Sequence, residues 1–403
     1  MRRLRIARAW ASLVRRSIAS IAALAFACVA LGLAADAFAA PPTPMTPDLF
    51  SFPGSVSNPA SASSAGLALA DRWLGDEPFA NPAIRSGWRV ALSPSLVHVD
   101  RQDLASHNRN FSQTSAFLDG AGLSVGLPPF GPLAIAGYAY QPLLRFEETA
   151  YTRGLTTPDP LAPPAAVQTR ARVRELHAGL ALATVAGPAR AGLGIEWVKR
   201  EDDYRTISQG GAPDDGTKQA KFSGDGFAFQ VGASLDHGDS TAGAFSVGAA
   251  ARFLPALTMK GVHSENLTVG ASEDSIHVER ASGWEAGVSA RVALGPSFRA
   301  LAALGSRSAQ RWDGFDVRAG SGWEWKIVGE FHDRRDPWSL RFGGGQERQS
   351  GAPEPSAGVL SVGLGWRFEP GTLDLGLLRR TLAREGLPNS FDDRVVLTII
   401  VPR

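Results

Sequence analysis

The chain has almost no cysteine, no excess of one charge and, beyond its first forty residues, no long apolar run. Cys28 is the single cysteine among 403 residues, which excludes a disulfide framework and any cysteine-rich metal site. Lys and Arg number 41 against 39 Asp and Glu, a formal net charge of +2. That balance offers no cationic stripe, so no nucleic-acid partner is expected. Hydrophobic residues make up 44% of the chain, too many, with too little net charge, for a disordered protein. No segment past the N-terminus has the roughly 18 apolar residues of a spanning helix. Catalytic signatures are missing too: there is no Gly-x-Ser-x-Gly elbow, no His-Glu-x-x-His and no P-loop. Gly343-Gly344-Gly345 lacks the Lys-Ser/Thr continuation. His332-Asp333 reads as a solvated turn, and Ser306, Ser308 and His177 cannot be brought together from sequence. No catalytic residue, metal site or cofactor is expected, and the chain is not expected to be an enzyme.

What is present begins with a basic, apolar leader. Arg2, Arg3, Arg5, Arg8, Arg15 and Arg16 are accompanied by no acid, residues 18–35 are almost wholly apolar, and Ala37-Phe38-Ala39 follows. These are the three parts of a secretory signal peptide, assigned to residues 1–39. Cys28 lies in the apolar part, where Ala25-Phe26-Ala27 makes a poor lipobox. Cleavage after Ala39 removes the only cysteine, six arginines and Asp36, which takes the net charge from +2 to −3. The mature protein is then exported and slightly acidic.

The remainder alternates with period two, the strand signal. Leu360, Val362, Leu364, Trp366 and Phe368 alternate with Ser361, Gly363, Gly365 and Arg367. Trp323, Trp325, Ile327 and Phe331 alternate with Glu324, Lys326 and Glu330, and 227–235 and 245–253 behave alike. One face is apolar; the other is small or charged. The strands are longer than the roughly 9–11 residues that cross a bilayer at a tilt. An apolar face toward lipid and a polar, Gly-rich face toward a lumen make a transmembrane antiparallel β-barrel in a bacterial outer membrane. Aromatics near strand ends (Trp88, Tyr151, Trp197, Tyr204, Trp312, Trp338, Phe368) suit interfacial girdles.

The strands are expected at roughly 88–102, 115–127, 132–149, 171–186, 189–206, 220–235, 241–259, 275–294, 297–312, 315–332, 337–349, 357–368, 371–383 and 391–401. Fourteen is an even number, as single-chain bacterial barrels have. Tight connections follow even-numbered strands. Longer ones, at 103–114, 150–170, 207–219, 260–274, 350–356 and 384–390, follow most odd-numbered strands. Short periplasmic turns and longer outer loops give this alternation and place the barrel at 88–403. Lipid and the barrel assembly machinery are then expected partners.

Residues 40–87 do not read as a strand. Prolines 41, 42, 44, 47, 53 and 59 crowd its start, 61–73 is Ala-rich and small, and Asn81-Pro82-Ala83 forms a turn, since Pro82 holds Asn81 out of the helical region. The segment is either a periplasmic tail or a plug within the lumen, and a fourteen-stranded barrel is wide enough to need one. Charges on the small-residue face fall in one quadrant: Glu324, Lys326, Glu330, Arg341, Arg367, Asp374 and Arg380. With both signs present, paired bridges are the default. The functional reading is that Lys326, Arg341 or Arg367 meets a ligand carboxylate.

The run Ser63 to Asp71, then Phe79-Ala80-Asn81-Pro82-Ala83, then Trp88-Arg89-Val90-Ala91 with Asp100 beyond, resembles the start of the FadL-type outer-membrane transporters. This resemblance implies an N-terminal hatch bearing Asn81-Pro82-Ala83 and a fourteen-stranded barrel. It also implies passive uptake of long-chain fatty acids or other hydrophobic small molecules, and an inward kink in the third strand for sideways release. Gln141-Pro142 is assigned to that kink by the resemblance. Proline cannot donate to a ladder, so Pro142 within a strand independently calls for a bulge or kink, unless the strand has already left the bilayer there. The chain departs from the family where Arg72-Trp73 follow Asp71 and in its ending, Val401-Pro402-Arg403. The alternative function is a general porin or a scaffold barrel of a secretion or attachment machine.

Overall fold

Alternation turns into a ring of antiparallel pairings. The computed structural model describes residues 70–74, 80–83, 88–103, 109–126, 133–140, 143–152, 165–209, 216–238, 244–313, 317–319, 321–332, 337–349, 356–369, 371–384 and 387–402. The expected signal peptide, residues 40–69 of the expected plug and Gln141-Pro142 lie outside the described residues.

Strands β1 (Trp88–Asp103) and β2 (Arg109–Gly126) pair along their length. The next wall strand is in two pieces, β3 (Leu133–Tyr140) and β4 (Leu143–Thr152), both registered on β5 (Ala165–Ala186). Then come β6 (Ala189–Gln209) and β7 (Gly216–His237). Both β8 (Phe245–Leu254) and β9 (Leu257–Leu267) pair with β7, so they too are one strand, broken where Pro255 lacks an N–H. The same holds for β10 (Gly270–Arg280) with β11 (Gly283–Ala293), and for β12 (Phe298–Arg307) with β13 (Gln310–Asp313). It holds again for β14 (Val317–Ala319) with β15 (Gly322–His332). Single strands β16 (Trp338–Gln349), β17 (Ser356–Phe368), β18 (Gly371–Arg384) and β19 (Leu387–Pro402) complete the wall. Finally β19 pairs back onto β1, from Arg89↔Pro402 to Asp100↔Phe391. Nineteen segments thus make a fourteen-stranded antiparallel barrel, as the alternation predicts.

The two faces are the reverse of a soluble protein. Leu360, Val362, Leu364 and Trp366 are exposed, as are Leu180, Leu193, Phe227 and Ile327. Their strand neighbours Val359, Ser361, Ala181, Ala228 and Lys326 are buried. Apolar area outside is stable only against lipid. At the rim of short turns, Trp338 stacks on Trp366 with centroids 5.7 Å apart, Trp366 meets Phe368 at 5.5 Å, and Phe298 meets Phe331 at 4.6 Å. This aromatic belt contains the expected Trp338 and Phe368. Tyr204 is a correction: it points inward, donates to Asp202 Oδ2 at 3.1 Å and stacks on Phe222. Its aromatic body follows the inward parity of β6, not its place near the strand end.

The short turns fall where expected. Between Ala186 and Ala189, Gly187 takes φ +61° ahead of Pro188, a two-residue hairpin that needs glycine at its first position. The expected loop at 260–274 is a second correction. Strands β9 and β10 stay paired up to Leu267↔Gly270, leaving only Thr268 and Val269 between them. Residues 270–275 are exposed throughout. Above the membrane both faces are wet, so hydrophobic alternation vanishes while backbone pairing continues.

Candidate functional site

The inner face is built from glycines, alanines and paired charges, and the N-terminal segment lies against it. Ala70 and Leu74 cluster with the inward Leu301, Ala303, Val328, Val359, Leu378 and Val396. Trp73 N donates to Ser289 Oγ at 3.3 Å, and Arg72 Nη2 to Glu285 Oε1 at 2.9 Å. Asn81 is fully buried. Its Nδ2 reaches three carbonyls, Trp73 at 2.7 Å, Ala233 at 3.2 Å and Ala249 at 3.3 Å, and its Oδ1 accepts from Ala83 N at 2.9 Å. Asn81 thus closes its own turn and ties it to two wall strands. Ser234 Oγ donates to Ala83 O at 3.3 Å.

Close approach explains four wall glycines. A Cβ on Gly192 would strike the Pro82 carbonyl, and one on Gly232 the Asn81 amide. One on Gly248 would strike the Trp73 carbonyl and Leu74, and one on Gly287 the Trp73 indole. These positions lie on β6, β7, β8 and β11, adjacent around the wall, and together form a side-chain-free seat.

Around the seat run two sets of buried charges. The first joins Glu175, His177, Glu196, Arg200, Asp202, Arg252, Arg280 and Glu285. His177 is held by Glu196 at 2.7 Å and Glu175 at 3.1 Å. Glu196 also pairs with Arg252 and accepts from Tyr138 at 2.9 Å and Gln230 at 3.0 Å. Arg200 binds Asp202 and Glu175, each at 2.8 Å, while Arg280 reaches Glu175 at 3.5 Å and Arg252 reaches Glu285 at 3.5 Å. Through Glu285 the set reaches Arg72 of the N-terminal segment. The sequence reading missed this set, although each member sits at an inward parity position in a strand.

The second set contains the charges that the sequence singled out. Lys326 pairs with Glu324 at 2.9 Å and Glu347 at 3.2 Å, and Arg380 faces Glu347 at 3.4 Å. Arg341 pairs with Glu330 at 3.0 Å and Asp374 at 2.6 Å. Arg367 is exposed near the short-turn rim, its N donating to Pro337 O at 2.7 Å. His177 and the two serines do not meet: Ser306 Oγ donates to Gly322 O at 3.1 Å and Ser308 Oγ accepts from Trp284 N at 2.9 Å. Between the segment and β11–β16 is a cleft of about 30 Å³ lined by Arg72, Trp73, Glu285, Arg307, Trp323, Glu324 and Arg348. Arg72 lies 4.6 Å over the Trp73 ring and Arg348 5.6 Å over the Trp323 ring. Among the described residues, no side-chain hydrogen bond or ion pair within 4 Å engages the Arg307 guanidinium, although Glu347, Glu324 and Glu285 are near enough to act on its charge.

Among the described residues, backbone pairing to the preceding strand is shortest at the third strand of the wall. Strand β3 meets β2 only through Ala136–Ala139 on Leu123–Gly126, and among the described residues β4 pairs with β5 alone. In sequence, Gln141 and Pro142 stand between β3 and β4.

No protein-family model and no curated protein matches this chain. Solved structures do. The CymD monoaromatic hydrocarbon channel is similar with a TM-score of 0.57 at 12% identity, covering 85% of this chain and 97% of that one. A Pseudomonas aeruginosa FadL homologue gives 0.57 at 12% identity, with 85% and 98% covered. The Pseudomonas putida toluene transporter TodX gives 0.56 at 11% identity, with 85% and 96% covered. With its fourteen strands and these likenesses, the chain has the fold of the FadL-type outer-membrane barrels.

Proposed function

We propose that this protein is a plugged outer-membrane channel for passive uptake of hydrophobic or amphipathic small molecules, released sideways into the membrane. The observation that carries the reading is the seat: Trp73, Leu74, Asn81 and Pro82 lie against four glycines of the inner wall, and Asn81 ties them there. A general porin needs an open aqueous lumen, whereas a carrier of greasy molecules needs a blocked one. Residues 40–87 are the plug in this reading, and residues 1–39 the export signal. The similar structures named for monoaromatic hydrocarbons and toluene support the ligand class.

A carboxylate on an amphipathic ligand would meet Arg307, which lines the cleft beside Trp73. Lys326 and Arg341 could take it only by giving up a carboxylate each already holds, and Arg367 lies away from the cleft, at the rim. Release uses the thin third strand: a ligand leaving there never enters water, whereas a continuous ladder would deny that route.

Single-channel conductance tests the plug. The intact mature protein should conduct little, and deletion of residues 41–87 should raise the current several-fold. A large, steady open-pore current from the intact protein would overturn the reading in favour of a porin.

A further inference from the structure

The hairpin of β9 and β10 carries the wall beyond the membrane and leaves one edge of it open. Strands β10 and β11 are one wall strand, which rises from Ala293 beside the short-turn rim. Glu279 stands fourteen residues above Ala293. At about 3.3 Å per residue and a tilt near 40°, that is about 35 Å, past an apolar band about 25 Å tall. Residues 270–278 stand higher still. On one side β10 pairs with β9 along its whole length, from Gly270↔Leu267 to Arg280↔Leu257. On the other side it pairs with β13 only through Glu279↔Asp313 and Arg280↔Trp312. Strand β13 ends there, at Asp313, and its hairpin partner β14 begins at Val317. Among the described residues, nothing pairs with the open side of residues 270–278.

An open strand edge is a row of unpaired N–H and C=O groups, a template for another strand. Residues 270–275 and His277 are exposed, and a Cβ on Gly270 would meet nothing within 4 Å. The edge is also acidic. No Lys or Arg occurs between Lys260 and Arg280, whereas Glu273, Asp274 and Glu279 do, and Asp313 lies across from Glu279. Glu265 is held by Lys218 at 3.3 Å and His263 at 3.7 Å, but among the described residues no ion pair engages Glu273, Asp274 or Glu279. These charges decide against a second copy of the chain. Two copies in one membrane rise in the same direction, so their β10 edges could meet only in parallel, Glu273 near Glu273 and Asp274 near Asp274. Like charges opposed across strands are destabilising.

We propose that the open edge of β10 is a docking site for an extended cationic polypeptide segment presented from outside the cell, which adds to the wall as one more strand. Its backbone takes up the open N–H and C=O groups of residues 270–278, and these main-chain bonds give affinity. Its Lys or Arg side chains meet Glu273 and Asp274, which point to opposite faces because they are adjacent in a strand. The two carboxylates thus set the choice of partner. Docking at this edge requires only that the barrel stand in an outer membrane with its short turns in the periplasm; a wrong plug or cargo leaves it untouched.

Fluorescence anisotropy of a labelled nine-residue peptide of Lys-Lys-Thr repeats, titrated with the full mature protein in a neutral detergent, tests it. The peptide should bind saturably, and its Glu-Glu-Thr counterpart should not. N-methylation of every residue keeps the peptide's charges but removes its donors, and should weaken binding by about tenfold or more. The double variant Glu273→Gln/Asp274→Asn, on an exposed hairpin, should weaken it about tenfold, as the loss of two opposite-charge pairs allows. Equal binding of the methylated and unmethylated peptides would overturn the proposal in favour of plain charge attraction. Unchanged binding by the double variant, or no saturable binding by the wild type, would overturn it outright.

Discussion

Asn81 shows how one side chain can fix a segment to a wall. Its amide serves the turn it sits in and two neighbouring strands, and all four contacts are buried. Asn81→Ala leaves the Trp73, Ala233 and Ala249 carbonyls without that donor. Loss of such buried bonds costs about 1–3 kcal/mol, and the whole cost falls on seating, because the wall's own ladder keeps its backbone bonds. Asn81→Ala should therefore raise single-channel conductance and leave heat-modifiable migration unchanged; loss of the folded barrel would assign the turn to assembly instead. Gly232→Ala tests the same seat from the other side. Its new Cβ meets the Asn81 amide, so conductance should rise as in Asn81→Ala, while the double variant should add little beyond either alone. The turn was legible because proline and asparagine carry local chemistry. The seat was not, because a glycine within a strand looks the same whether it weakens the strand or admits a neighbouring chain.

At the scale of elements, strand number was legible and strand length was not. Inside the bilayer, one face must be apolar, so alternation marks every crossing, as at Leu360 to Phe368. Outside it, Ser264, Glu265 and Asn266 pair with residues 271–273 while both faces are polar, and the pattern has nothing to follow. Charges divided in the same way. Glu324, Lys326, Glu330 and Arg341 stood out because neighbouring strands in sequence carry them. The set around Glu196 draws on β3, β5, β6, β7, β8, β10 and β11, and its pairing needed the register of the whole wall. Buried pairs of this kind hold one another: removing one partner strands the other, at about 3–5 kcal/mol. Arg341→Leu leaves Asp374 and Glu330 without their shared guanidinium, so its urea midpoint in lipid bilayers should fall by that measure. Arg341→Lys keeps the charge without the fork and should recover part of the loss. Equal midpoints for wild type and Arg341→Leu would show that water already screens the pair.

At the scale of the whole molecule, seat, charges and wall meet at the third strand. From Arg72 on the seated segment, ion pairs run through Glu285, Arg252 and Glu196 to His177, and Tyr138 donates a hydrogen bond to the same Glu196. Tyr138 lies two residues before β3 stops, and His177 is the register partner of its last residue, Tyr140. The seated segment and the third strand of the wall are thus joined by one buried network that reaches the last residue of β3, Tyr140. In the proposed route an apolar ligand leaves through that strand, since passing the charged rim would cost it the burial it gains. Pro142→Val restores an N–H donor and a β-branched side chain that favours strand. If the break is the exit, this variant should take up less of a hydrophobic ligand such as a fluorescent fatty acid, several-fold below wild type. Its thermal or urea stability should be equal or higher, because a residue that cannot donate to the ladder has been replaced by one that can. Unchanged uptake in a correctly inserted variant would remove Pro142 from the route and leave the ligand's exit to the lumen itself. In that case Asn81→Ala, which opens the lumen, should speed uptake rather than merely leak ions.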